Sequence, residues 1–316
     1  MSRAIAVQPD QAIAVKPDQA RPSGRCRAAL SNLGWVLLFL APSAVPLLVF
    51  KIAPMFASAW VSLHRWNMIS PMEWIGWDNY AELLTSPNTW QVFSHTLLYL
   101  LGYLPLVYAG GLLIAVALNQ RLRARGVLRA AYFVPVVTSW VAVALVWQWL
   151  LNPSNGLVNY LLGLLHLPQP GWWTDPTWAI PSVILASAWK DLGFVMVILL
   201  SGLQTIPQEI QEAATMDGAG RWRRFWNITF PLLSPSTFFV VVISLINGFQ
   251  VFDQMYVMTG GGPSGASQVA VGRIYDLAFR YGQAGQASAL SWILFAIILA
   301  VTAVQMRGQR KWVNYA

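Results

Sequence analysis

Long windows of this chain carry no formal charge. Thr96–Gln120, Ala130–Leu165, Phe225–Gly248 and Tyr281–Met306 contain no Asp, Glu, Lys or Arg. A helix needs about 20 apolar residues to cross the hydrocarbon layer of a bilayer. Six stretches meet that length, near residues 33–55, 93–118, 129–151, 179–203, 233–254 and 286–306. In lipid every backbone polar group must be satisfied within the protein, which leaves helices and closed barrels. These runs are too long, and alternate too little, for barrel strands. The predicted fold class is therefore all-α, a polytopic membrane protein with six transmembrane helices. Only 10% of the residues are charged and the mean hydropathy is +0.51, against about 25% charged residues in soluble domains. The chain's 17 tryptophans suit the membrane–water boundary, where an amphipathic ring is at home.

The formal charge of +8 does not point to nucleic acid, because the cations sit at the ends of apolar runs rather than on one polar face. Arg3, Lys16, Arg21, Arg25 and Arg27 precede the first span. Arg121, Arg123, Arg125 and Arg129 follow the second, Arg221, Arg223 and Arg224 follow the fourth, and Arg307, Arg310 and Lys311 follow the sixth. The alternate side has only Arg65, Arg273 and Arg280. The positive-inside rule then puts both termini of a multi-pass chain in the cytoplasm, with membrane lipid as its surroundings.

The segments outside the spans read differently. Residues 1–32 are polar and carry a near-repeat, AIAVQPDQ then AIAVKPDQ, too short to build a core, and are predicted to be a disordered cytoplasmic tail. The apolar run that follows is long, holds prolines and lacks a small-residue cleavage signal, so a retained first span is expected. Residues 33–306 are expected to form the six-helix membrane domain and 307–316 a short C-terminal cytoplasmic tail. Cys26 stands alone in a basic flank, which excludes an intrachain disulfide and a Cys-based metal cluster. The external segments 64–92 and 152–178 are rich in Trp (Trp66, Trp74, Trp77, Trp172, Trp173 and Trp178), suited to membrane anchoring or to an external partner.

The loop from Gln204 to Pro231 carries the most information. Pro207 can open a helix at its first turn. Gln208 to Met216 favour helix, with Ile210, Ala213, Ala214 and Met216 on an apolar side, and Gly218 and Gly220 end it. Arg221 to Phe230 alternates Arg with Trp and Phe, as in a helix lying at the membrane surface. Helix, glycine turn and basic-aromatic helix could fit a partner's groove or be an ordinary amphipathic loop.

Within that loop, Glu212-Ala213-Ala214, then Gly218, Ile228 and Phe230-Pro231, resembles the EAA signature of ABC importer permeases; the residue before the proline is usually Leu and here is Phe230. Gly202-Leu203-Gln204, Ile206-Pro207, Asp217-Gly218-Ala219, Phe252-Asp253, Met258 to Pro263, and Tyr281-Gly282 followed by Ala287-Ser288-Ala289 are similar to the carbohydrate-uptake branch of the maltose and glycerol-3-phosphate type. The resemblance runs from about Gly34 to the C-terminus. It implies a type I importer permease fold. It also implies ATPase coupling through Glu212, Ala213, Ala214, Asp217 and Gly218, with Glu212 pairing with a basic residue of the ATPase. The implied partners are a second permease, two cytoplasmic ATPases and an extracytoplasmic solute-binding protein. ATP and Mg would sit on those ATPases. This chain has no Gly-Lys-Ser/Thr phosphate loop of its own, and no cofactor is expected on it.

Polar residues at membrane depth mark the solute path by default. Trp189, Lys190 and Asp191 lie in the fourth span, where the two charges either neutralise each other or face a wet cavity. In the fifth, Asn247, Gln250 and Asp253 follow Ser244 at three-residue steps along one drifting helical face, interleaved with Phe249, Phe252 and Tyr256. Amides, carboxylates and aromatic rings suit a polyol, although the same residues could bind helix to helix. Catalysis and metal binding are not expected: His64, His95 and His166 are scattered and form no nucleophile–base or ligand set. Two alternatives stay open. One is a permease of this type for glycerol-3-phosphate or a glycerophosphodiester, with Lys190 on the phosphate. The other is a secondary transporter, for which no paired repeats of broken spans are visible.

Overall fold

The computed structural model describes Val36, residues 38–120 and residues 122–312, with side chains to Gln309. The predicted N-terminal tail lies outside the described residues. Contacts divide the chain into residues 1–57 and a unit from Ser58 to Ala316. The first apolar helix, Leu38–Val61, buries none of its most apolar window.

From Ser58 onward the described residues are mostly helical, joined by turns and loops, and their strands form one two-residue ladder in which His64 faces Trp74 and Arg65 faces Glu73. The rings of Trp60, His64 and Trp74 cluster around it. Asn79, 4% exposed, secures the turn by donating to the Ser62 and His64 carbonyls. Ser86 is extended, as the residue before a proline prefers, and Pro87 opens the second span, Pro87–Leu118.

The second span packs along the fourth, Ala179–Thr205, and this pair carries the main core: Val107, Val195, Met196, Leu199 and Leu200 are all fully buried. Glycines bring the two backbones close. A Cβ on Gly102 would meet Ile184 at 2.6 Å, and one on Gly111 would meet Val195 at 2.5 Å and the Met196 backbone at 3.2 Å. Small residues at helix contacts do this work in lipid, where no hydrophobic drive holds apolar helices together.

Two predicted spans are not continuous. In place of one helix over 129–151 the chain forms Arg125–Val137 and Trp140–Leu150, bent by 100°. Thr138 and Ser139 are extended (ψ 151° and 137°), so the helix ends there, and the Thr138 N–H and hydroxyl both donate to the Pro135 carbonyl. The helix predicted over Arg221–Phe230 runs Arg221–Leu232, and after a 64° bend the fifth span runs Ser234–Phe249. It stops at Phe249, well short of residue 254, and a separate helix, Asp253–Met258, follows. The sixth helix runs Ala284–Trp312 and buries Ala287, Ala289, Leu290 and Leu294.

The Trp-rich segment 152–178 is partly buried within the protein. Trp172 is 8% exposed and donates to Asn159 Oδ1 at 2.6 Å, while Asn159 donates to the Pro153 and Pro170 carbonyls. Trp173 donates to the Gln148 carbonyl.

Gly193 of the fourth span sits directly against the Tyr132 carbonyl, where any Cβ would collide with backbone rather than with a movable side chain. Gly193→Ala is therefore expected to lower stability by about 1–3 kcal/mol, as overpacking does. Thermal unfolding of the purified protein in detergent reads this, and an unchanged midpoint would contradict the close approach.

Candidate functional site

The break at the end of the fifth span builds a cavity. After Phe249 the chain makes a tight turn, with Gln250 N–H on the Asn247 carbonyl and Val251 N–H on the Gly248 carbonyl, before Asp253 starts the next helix. Asn247, Gln250 and Asp253 therefore do not share a helical face. The turn instead wraps them around a cavity of about 360 Å3 with Tyr99, Tyr103, Trp140, Asp191, Phe252 and Gln254. That volume lies within the range of about 300–1,000 Å3 typical of small-molecule sites.

The rings of Tyr99 and Tyr103, one helical turn apart, stack at 5.3 Å with 9° between their planes. Tyr103 donates its hydroxyl to Asp191 Oδ2 at 2.7 Å, and Gln254 Nε2 reaches the Tyr99 hydroxyl at 3.5 Å. The cavity wall thus offers two carboxylates, three side-chain amides and four aromatic rings, with no Lys or Arg among its lining residues. Such a set can exchange hydrogen bonds with hydroxyl groups while a ring covers the apolar face of a solute.

The other residues singled out in the sequence lie elsewhere. Trp189 is 45% exposed and meets Trp147 edge-on. Lys190 turns away from Asp191, donating instead to the Val136 carbonyl at 2.9 Å with its ammonium 4.8 Å from the Trp140 ring. Phe249 packs in a core cluster with Leu100, Ala270 and Leu294. Tyr256 does not line this cavity; it joins an aromatic group with Phe252, which does, and with Tyr275, beside Arg280. The Tyr275 hydroxyl and the Arg280 guanidinium hold the Tyr256 phenol below its usual range. Tyr99, Tyr103, Trp140 and Gln254 were not singled out in the sequence. The i, i+4 tyrosine pair inside an uncharged span was the available signal.

The Gln204–Pro231 loop folds as its residues suggest. Gln208–Met216 is helical after extended Pro207. Gly218 has φ +76°, and the turn is closed by Gly218 N–H on the Thr215 carbonyl and Ala219 N–H on the Ala214 carbonyl, the Schellman pattern. Glu212, Ala213, Asp217 and Gly218 are exposed and Met216 is 88% exposed, whereas Ala214 faces inward. Gln211 donates to Thr229 and Arg224 to Thr215, tying this helix to the next. A cavity of about 710 Å3 lies behind it, lined by Asn119, Gln204, Gln211, Arg221 and Arg224 among others.

Known proteins resemble this chain over most of its length. Residues 108–313 match the family described as binding-protein-dependent transport system inner membrane component. The probable ABC transporter permease protein YurN of Bacillus subtilis is 36% identical over 275 residues, covering 85% of this chain and 94% of that protein. The trehalose/maltose transport system permease protein MalF of Thermococcus litoralis is also 36% identical, over 89% of this chain and 94% of its own. A solved bacterial ABC transporter involved in the import of the acidic polysaccharide alginate superposes with a TM-score of 0.80 at 23% identity, over 92% of this chain and 100% of the other.

In the cavity, Tyr103→Phe would leave Asp191 without its phenolic donor, and Asp191→Asn would replace a charged acceptor by a neutral one. A double-mutant cycle in thermal unfolding is expected to give a coupling of about 1–2 kcal/mol. Strict additivity would show that the bond carries no energy. With its helical membrane fold and matching relatives, the chain belongs to the binding-protein-dependent inner membrane components, as a multi-pass permease of the type I ABC importer fold.

Proposed function

We propose that this chain forms half of the membrane path of an ATP-driven sugar importer, with a second permease forming the other half. The observation that carries this reading is the cavity around Asp191, where stacked Tyr99 and Tyr103, Trp140, two carboxylates and three amides converge at membrane depth. Polar groups in such a place are costly unless they serve a solute or each other. The trehalose/maltose relative supports a carbohydrate cargo.

A neutral sugar fits better than a phosphorylated polyol. The phosphate alternative needs a cation on the path, yet the Lys190 ammonium is engaged by the Val136 carbonyl and the cavity is lined by carboxylates alone among charged groups. A carboxylate-lined cavity repels an anion and accepts hydroxyl donors.

The exposed face of Gln208–Met216 is the coupling surface in this reading. It inserts in a cleft of a cytoplasmic ATPase, with Glu212 on a basic residue, Ala213 allowing close approach and Asp217-Gly218 making the turn. ATP and Mg are held by two such ATPases, and an extracytoplasmic binding protein delivers the solute. Both termini are cytoplasmic, supported by the Arg and Lys counts of the alternate loops. Closure of the ATPases moves the spans between two arrangements that bind the solute differently, which gives alternating access.

The test is ATPase activity of the reconstituted importer with its binding protein. Glu212→Lys, which reverses the charge, and Gly218→Pro, whose φ near −65° cannot replace +76°, are each expected to cut solute-stimulated activity about tenfold or more while the protein still inserts. Normal stimulation in both variants would overturn the coupling assignment. Across a solute panel, neutral sugars should stimulate and glycerol phosphates should not. A response confined to phosphorylated glycerols would reject the neutral-sugar reading.

A further inference from the structure

We propose that Lys190 is a positioning residue that pins the break in the third span and thereby holds Trp140 against the cavity. Ending a helix inside the membrane leaves its last carbonyls without intrahelical partners, and in hydrocarbon an unsatisfied carbonyl is costly. Arg125–Val137 ends in this way. Its Pro135 carbonyl is satisfied locally by Thr138, and its Val136 carbonyl receives the Lys190 ammonium from the fourth span at 2.9 Å. A cation at this place also complements the negative end of the helix dipole.

The same ammonium lies 4.8 Å from the centre of the Trp140 ring, the first residue of the next half-helix. One side chain, 5% exposed, therefore touches both arms of a 100° bend. Three residues further along the fourth span, Gly193 lets the Tyr132 carbonyl come into contact, so the first arm is held against this span at two points. Lys190 and Asp191 then divide the work. Adjacent residues on a helix point about 100° apart, so Asp191 faces the cavity while Lys190 faces the break. Trp140 belongs to both, since it lines the cavity and covers the ammonium. The shape of the solute cavity is in this way tied to the angle of the bend.

The inference rests on the bend, not on the sugar reading, and its main readout does not involve solute. Cysteines at Val127 and Val146, exposed on the two arms, would be spin-labelled in the full importer carrying Cys26→Ser. In an unbent helix these positions would lie about 28 Å apart, and the bend shortens that distance. Lys190→Met keeps the length of the side chain and removes the charge. It is expected to broaden the distance distribution and move it to longer values, and to lower solute-stimulated ATPase activity about tenfold. Lys190→Arg should restore both. If Lys190→Met does not insert, Trp140→Leu keeps the Val136 bond and removes the ring, and it should broaden the distribution to a smaller degree. A narrow, unshifted distribution in Lys190→Met would overturn the proposal. If solute affinity changed at the same time, Lys190 would be a solute ligand. An unshifted distribution in Trp140→Leu would overturn it equally where that variant alone inserts.

Discussion

The places where this protein's membrane helices stop are shaped by one requirement, that no backbone carbonyl or amide be left unpaired in hydrocarbon. Unbroken helices meet nearly all of it internally, which is why the second and fourth spans can run as long partners and be brought close by glycine. The informative places are where the helices stop. Thr138 and Lys190 take the carbonyls released at the third-span break, and the turn at Gln250–Phe252 closes on the carbonyls of Asn247 and Gly248. Outside the membrane the same demand is met at Gly218 by a Schellman turn.

The cavity around Asp191 is a by-product of those stops. A continuous fifth helix would have pointed Asn247, Gln250 and Asp253 in nearby directions along its length. Because the helix ends at Phe249, the three line a wall that Asp191, Tyr99 and Tyr103 complete from the second and fourth spans. Irregular backbone at membrane depth is tolerated where it borders a cavity, and here the tolerance and the chemistry share the same residues.

The sequence made the helices legible because a spanning segment must be long and uncharged, a property of composition alone. It made the Gln204–Pro231 loop legible for a similar reason: Pro207 and Gly218 impose backbone angles locally, and the helix between them formed as read. It did not reveal the bend at Thr138–Ser139, since hydropathy is blind to direction and one proline near a helix end does not announce a 100° turn. Nor did adjacency in sequence show that Lys190 and Asp191 serve different neighbours.

By itself, then, the sequence determined an all-helical membrane chain, its charge asymmetry and the short exposed helix carrying Glu212, because each follows from local composition and local backbone preference. Only the tertiary structure decided that Tyr103 meets Asp191, that Lys190 holds Val136, and that Ala213 faces outward while Ala214 does not. Those pairings join residues up to 88 apart, set by how closely the second, third and fourth spans approach one another, a distance fixed by packing and not by any one segment.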